Sequence, residues 1–115
     1  MKQRQVGQIT VLAPRGYLTG GEETDELERT IKAVSESGNK QLLINLGETQ
    51  HLNSTALGVL ISAHTNYVKR GGQMKLCSVD KRIENIFVIT KLSLVFDVYP
   101  GEEQAIASFA EKESV

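Results

Sequence analysis

The residues best suited to chemistry in this chain are hydroxyls at the start of a predicted helix. Asn53, Ser54 and Thr55 follow a short apolar segment and directly precede an amphipathic stretch. The free N–H groups and the dipole at the start of a helix favour a negative group there, so a phosphate would be well accommodated. Ser54 is therefore a candidate phosphorylation site, although the local sequence alone does not require one. Helix capping by the side chain of Asn53 or Ser54 is the plainer alternative.

The other reactive side chains give weaker predictions. His51 and His64 could assist Ser54 in hydrolysis, but the Gly-x-Ser-x-Gly pattern of a nucleophile elbow is absent. Cys77 is the only cysteine, so no internal disulfide is possible, and its place in a predicted strand favours a core residue. No histidine, cysteine or acid has metal-ligand spacing. We therefore predict no metal, no cofactor and no enzyme activity.

Composition narrows the class of partner. The 115 residues suffice for one domain, predicted over residues 1–115 with a core at about 3–110. A net charge of −1 and the lack of tryptophan argue against a nucleic-acid partner. Apolar runs such as residues 59–61 are only a few residues long, too short to span a membrane. Because the chain starts without a leader pattern and has one cysteine, we expect a cytoplasmic protein.

Hydrophobic periodicity predicts an alternating order of elements. Strands are predicted at residues 3–6, 8–13, 42–46, 74–79 and 94–99, and helices at residues 22–37, 54–70, a short segment capped by Asp80, and 102–112, after which residues 112–115 should fray. The inner stripe of the second helix is predicted to comprise Leu57, Leu60, Ile61, His64 and Val68. Alternating strands and helices predict an α/β domain, with a mixed sheet of four to five strands and about four helices packed on it.

The segment that joins the central strand to the second helix carries a family pattern. Residues 43–46 are followed by residues 52–60, which contain Asn53-Ser54-Thr55-Ala56-Leu57-Gly58. This arrangement resembles the STAS domains of bacterial anti-sigma factor antagonists, in which a strand and a short loop precede Asp-Ser-Ser/Thr-Gly-Leu-Gly. The resemblance continues at residues 16–18, 71–76, 90–92, 96–99 and 102–105, and so runs nearly from end to end.

The resemblance implies a partner-switching mechanism. Unmodified, such a domain binds an anti-sigma factor kinase and so frees a sigma factor. The kinase phosphorylates the serine that follows the motif's acid, which breaks the complex, and a PP2C-type phosphatase resets it. Carried over to this chain, the phosphoacceptor is Ser54. The implied partner-binding residues are Asn53, Thr55, Ala56, Gly58 and Thr19.

Three positions depart from the family pattern and keep an alternative open. Asn53 stands where Asp is usual, Thr19 where an acid is common, and Ala56 where Gly is usual. The alternative is a constitutive STAS interaction subunit of a stress-signalling or lipid-transport complex, in which Ser54 has no switching role. A small-ligand sensor is a third possibility, and it would need a pocket with converging polar groups.

Overall fold

Strands and helices alternate along residues 1–111, the part of the chain that the computed structural model describes. The strands are β1 (Lys2–Val6), β2 (Ile9–Ala13), β3 (Gly16–Leu18), β4 (Gln41–Asn45), β5 (Thr49–Leu52), β6 (Gln73–Cys77) and β7 (Asp97–Tyr99). The helices are α1 (Glu22–Glu36), α2 (Ser54–Lys69), α3 (Lys81–Ile89) and α4 (Glu102–Glu111), and a 3₁₀ turn (Leu92–Leu94) follows α3. Lys112, the predicted end of the last helix, and the predicted fraying of residues 112–115 lie outside the described residues.

Five strands form one mixed sheet in the order β1-β2-β4-β6-β7. The edge strand β1 is antiparallel to β2, and Gly7 with φ +60° makes the turn between them, as glycine can without strain. The strands β2, β4, β6 and β7 run parallel to one another. The predicted α/β class is confirmed, with a five-stranded mixed sheet and four helices in the described residues.

Helices cover both faces of the sheet, as a parallel sheet requires. Along β4, Leu42 and Ile44 point to one face, and Leu43 points to the other. The first face packs against α1, α2 and α3, and the second against α4 alone. Each of these leucines is fully buried, and a burial of that kind stabilises a fold by about 2 kcal/mol.

One cation is buried between β6 and α4. Lys75 is 3% exposed, and its Nζ donates to Ser108 Oγ at 2.9 Å. The ammonium also lies 5.2 Å from the ring centre of Tyr99 and 5.0 Å from that of Phe109. Because burial of a charge is costly without such partners, these contacts explain how α4 packs over a lysine.

A small second sheet was not predicted. β3 and β5 pair in parallel, with Leu18 opposite Leu52. The hydroxyl of Thr49 donates to the Pro14 carbonyl at 3.1 Å and ties this sheet to the end of β2. Residues 47–51 look like a polar loop in the sequence. The strand β5 forms only by pairing with residues more than thirty positions earlier, and that pairing leaves no local signal. This sheet carries the chain into α2.

The predicted strand over residues 94–99 is wrong in its first half. The 3₁₀ turn ends at Leu94, and β7 begins only at Asp97. In the apolar run Leu94-Val95-Phe96 only Phe96 is buried, whereas Leu94 is 83% exposed. These three apolar residues resemble a buried strand in the sequence, but only the ring of Phe96 packs into the core.

The predicted inner stripe of α2 is partly wrong. The buried positions are Ala56, Leu57, Leu60, Ala63 and Tyr67, so Leu57 and Leu60 are confirmed. Ile61 is 37% exposed, Val68 is 56% exposed, and His64 is half buried. The buried face includes Tyr67, whose hydroxyl has a partner inside the protein and donates to Asn39 Oδ1 at 2.9 Å.

An ion pair fastens the start of α4 to the edge strand. Arg4 donates two bonds to the Glu102 carboxylate, at 2.7 and 3.1 Å, and Asn45 Nδ2 donates a third at 2.7 Å. The Arg4 hydrogen bonds, followed by that of Asn45, lower the pKa of Glu102 below its ordinary value. The contact joins three elements that are distant in sequence.

The lowered Glu102 pKa predicts a pH-dependent contribution to stability. A carboxyl with a depressed folded pKa stabilises the fold above the unfolded pKa, about 4.3 for glutamate, and loses this effect as pH falls through the folded value. The wild type should therefore be more stable than Glu102→Gln at pH 6, and the difference should shrink toward pH 3. Urea unfolding of both proteins at the two pH values measures this. An unchanged difference at pH 3 would contradict it.

No helix within residues 1–111 is both long enough and apolar enough to cross a lipid bilayer.

Candidate functional site

The start of α2 is organised by the side chain of Asn53. Its Oδ1 accepts hydrogen bonds from the backbone N–H groups of Thr55 at 3.1 Å and Ala56 at 3.2 Å. The Asn53 backbone is extended, and its carbonyl accepts the first helical bond from Leu57 at 3.0 Å. Asn53 is therefore the N-cap, which decides between the two predicted capping residues.

The same side chain joins α2 to a distant loop. Asn53 Nδ2 donates to the Thr19 carbonyl at 2.8 Å, and the Asn53 N–H donates to the Leu18 carbonyl at 3.1 Å. The pairing of β3 with β5 sets these positions side by side, so Thr19 and Asn53 meet although 34 residues separate them. An aspartate could cap α2 equally well, but its ionised carboxylate has no proton to donate to the Thr19 carbonyl.

Substitutions of Asn53 should separate these two functions. Asn53→Ala removes both cap bonds and the Thr19 bond, and should lower the free energy of unfolding by about 2 kcal/mol. Asn53→Asp keeps the cap and gains charge at the helix start but loses the Thr19 bond, so its stability should lie within about 1 kcal/mol of wild type. Urea denaturation followed by circular dichroism measures both. An alanine variant as stable as the wild type would refute the capping role.

The predicted site residues differ in accessibility. Ser54, Thr55, Gly58 and Thr19 are exposed, so all four are open to a partner. Ala56 is fully buried, and its side chain packs in the core. The Ala56 side chain is therefore not open to a partner in this structure, unlike those of the exposed residues. Helix α2 packs on the core from its first turn onward, and residue 56 lies on the side that faces inward.

The charges around this surface are unevenly placed. The first turn of α2 has no acidic residue, whereas the first turn of α1 has Glu22, Glu23 and Asp25. The two helix starts are close, since a Cβ at Gly20 would lie 3.5 Å from the Thr55 side chain. A phosphate on Ser54 would thus sit at a helix start free of acids, beside one that is strongly acidic.

The two histidines are not assembled with Ser54 into a catalytic group. His51 is exposed on β5 and tilts against Tyr17 at 6.3 Å between ring centres, whereas His64 packs edge-on against Phe96 at 5.7 Å. In residues 1–110, the Nδ1 of His64 is buried without a hydrogen-bond partner. These two side chains face different surroundings, and no hydrogen bond within the described part of the chain links either of them to Ser54.

Metal and thiol chemistry find little support at this surface. Among the residues that the structure describes, no group of three or more His, Cys, Asp and Glu side chains could hold a metal ion. Cys77 is buried in β6, as predicted, and burial raises the pKa of its thiol. A buried thiol of raised pKa is a poor nucleophile.

Tyr17 is a surface residue that sequence analysis did not place at the site. Its side chain is 60% exposed on β3, and it pairs with His51 directly across the small sheet. The signal was present in the sequence, because Tyr17 precedes the buried Leu18 and strand residues alternate between faces. It could not be interpreted without knowing that this short segment is a strand.

Comparisons of the sequence with a family model and with curated proteins agree on one family. The family model of the STAS domain matches residues 1–105. The anti-sigma-B factor antagonist of Bacillus subtilis is 29% identical over 80 residues, which is 70% of this chain and 72% of that protein.

Solved structures agree on the fold. A putative anti-sigma factor antagonist from Thermotoga maritima superposes with a TM-score of 0.87 at 18% identity, covering 93% of this chain and 92% of that one. The Bacillus cell fate determinant SpoIIAA, solved in its phosphorylated form, superposes with a TM-score of 0.75 at 15% identity, covering 94% of this chain and 97% of that one.

Proposed function

The chain belongs to the STAS domain family, and on that premise we propose that it is an anti-sigma factor antagonist controlled by phosphorylation of Ser54. In this proposal the protein is a regulatory binding protein and not an enzyme. Its unmodified form binds an anti-sigma factor kinase, and a PP2C-type phosphatase restores that form after phosphorylation. The surface in contact with the kinase comprises Ser54, Thr55, Gly58 and Thr19, held in place by Asn53.

One observation carries the proposal: Ser54 is exposed at the first position of α2, but it is not the residue that caps the helix. Asn53 supplies both cap bonds. The Ser54 hydroxyl is thus free of the structural task that would otherwise explain a serine here. It can be modified without loss of the cap, so the modified domain would stay folded.

The electrostatics of the site support a switch that acts by charge. A phosphoserine brings a charge of about −1.5 to −2 at neutral pH. At Ser54 that charge would be accommodated by the start of α2 and would add to the acids at the start of α1. A partner docked over this surface would then meet a bulky and strongly negative group in place of a hydroxyl, which would weaken binding.

The experiment is a comparison of variants in binding to the host's anti-sigma factor kinase, identified by capture with the tagged wild type and mass spectrometry. Ser54→Asp should lower the affinity at least about tenfold, equivalent to 1.4 kcal/mol, and Ser54→Ala should bind like the wild type. Gln104→Glu, which adds a negative charge at an exposed position of α4 on the opposite face of the sheet, is the matched control and should leave binding unchanged.

Phosphopeptide mass spectrometry of protein from the native host completes the test. A phosphate on Ser54 is expected. Equal affinity of Ser54→Asp and wild type would rule out the switch, and so would Ser54 that stays unmodified under growth and stress conditions. Failure of the wild type to retain any anti-sigma factor would rule out the antagonist function itself.

The constitutive subunit remains the second candidate, because Asn53 has a structural explanation that requires no phosphorylation. Its bond to the Thr19 carbonyl needs an amide donor, which the family's usual aspartate lacks. A stable complex that survives purification, with Ser54 unmodified throughout, would favour this function over the switch.

A further inference from the structure

Most of the exposed large apolar side chains in the described residues lie on one part of the surface. Eight such side chains are exposed, and six of them are on α2, on α3 and around the 3₁₀ turn. We call these six the outer apolar face: Ile61, Val68, Val88, Ile89, Leu94 and Val95. Ile89 is 80% exposed and Leu94 is 83% exposed, so neither contributes much to the core. Clustered exposure of this kind marks interaction surfaces in soluble proteins.

Contacts beneath this face bring its parts together. The ring of Phe96 lies 5.7 Å from His64 of α2 and 5.6 Å from Phe87 of α3. Ile61 and Val68 lie one helical turn before and after His64, and therefore flank the same point of α2. Val88 follows Phe87, and Val95 precedes Phe96. The three elements thus meet at one buried ring, and each carries exposed apolar side chains close in sequence to its contact with that ring.

The outer apolar face is continuous along α2 with the candidate phosphorylation site. Ser54, Gly58, Ile61, Thr65 and Val68 are spaced by four, three, four and three residues, the repeat of a single helical stripe. All five are exposed. Gly58 has no neighbour within 4 Å of an added Cβ, so the fold itself does not require a glycine there. A partner lying along this stripe could approach the backbone of α2 closely at Gly58.

The charge of this part of the molecule is opposite to that of α1. The exposed charged residues over residues 54–95 are five cations, Lys69, Arg70, Lys81, Arg82 and Lys91, against one acid, Glu84, while Asp80 is half buried. Helix α1 has six acids, Glu22, Glu23, Asp25, Glu26, Glu28 and Glu36, against two cations, Arg29 and Lys32. The overall net charge of −1 therefore includes an acidic surface on α1 and a basic surface over residues 54–95. An acidic partner would therefore be electrostatically complementary to the surface that carries the outer apolar face.

We propose that the outer apolar face docks a helix of the anti-sigma factor that is apolar on one side and acidic at its flanks. The inference rests on the proposed function, and it extends the contact from the start of α2 to the 3₁₀ turn. The partner's apolar side chains cover Ile89 and Leu94, and its acidic flank lies against Lys91. Phosphorylation at one end of the stripe then displaces a partner that is held mainly from the other end.

The test measures the affinity of the anti-sigma factor captured by the wild type, by isothermal titration calorimetry. Ile89→Ser/Leu94→Ser should weaken binding at least about tenfold, as expected when central apolar contacts are lost. Lys91→Glu should weaken it about threefold or more at low salt and less at high salt. Lys32→Glu makes the same charge change on the exposed side of α1 and should bind like the wild type. Thermal unfolding of each variant verifies that the fold is intact.

The outcomes distinguish this inference from the proposed function. If Ser54→Asp loses binding while Ile89→Ser/Leu94→Ser binds like the wild type, the antagonist function stands and the docking face is refuted. If both bind like the wild type, both proposals fail. The docking face is also refuted if the double variant abolishes self-association, or sedimentation with vesicles of anionic phospholipid, and leaves the affinity for the anti-sigma factor unchanged.

Discussion

Replacing Phe96 by alanine is expected to lower the free energy of unfolding by about 4 kcal/mol. The ring is 4% exposed and contacts both His64 of α2 and Phe87 of α3. It is the only buried side chain between the 3₁₀ turn and β7, so no neighbour in the chain can fill the space that it leaves. Since a small domain has only about 5 to 15 kcal/mol of stability, the variant should be close to unfolding at room temperature.

A conservative variant separates loss of volume from loss of shape. Phe96→Leu keeps most of the apolar volume and should cost less than about 1.5 kcal/mol. Both variants are measured by urea denaturation, monitored by far-UV circular dichroism. An alanine variant within 1 kcal/mol of the wild type would mean that the α3–β7 segment does not unfold cooperatively with the rest of the domain.

Gly72→Ala is the second substitution for which we expect a large loss, about 3 kcal/mol. A Cβ at Gly72 would lie 2.6 Å from the backbone oxygen of Lys40. That oxygen cannot easily move, because it accepts the Gln73 N–H at 2.8 Å where β6 begins beside β4. Gly72 is itself fixed, since its N–H donates to the Tyr67 carbonyl at 2.7 Å and closes the end of α2.

The same change at Gly58 is the matched control and should have the opposite sign. Gly58 lies inside α2, and an added methyl group would meet nothing within 4 Å. Alanine is the better helix former by about 1 kcal/mol, so Gly58→Ala should be more stable than the wild type by that amount. Thermal and urea unfolding of the two variants give the comparison. Equal effects would mean that backbone crowding at Gly72 is relieved by local movement.

The sequence predicts the elements whose signals are local. The limits of α1 follow from acids at its start and Gly38 after its end, and the cap of α3 follows from Asp80, whose Oδ1 accepts the Ile83 N–H at 2.9 Å. The turn at Gly7 likewise follows from a glycine between two short strands. In each case a few adjacent residues decide the conformation, so no knowledge of distant contacts is needed.

The features that could not be predicted depend on contacts between distant segments. The strands β3 and β5 have three and four residues, too few for a pattern, and they exist because they pair with each other. The burial of Tyr67 on α2 is accommodated by Asn39, which accepts a hydrogen bond from its hydroxyl. At the site, capping by Asn53 is visible in the sequence, whereas its bond to Thr19 is not.

The small sheet of β3 and β5 has a consequence for how this surface can be recognised. A peptide of residues 49–60 would contain every residue of the central motif, yet it would lack the Thr19 carbonyl that fixes Asn53 and the loop beside Thr55. The information at the site is therefore conformational and not linear. An enzyme that recognised this arrangement would therefore act only on folded molecules, and its modification would report that the domain has folded.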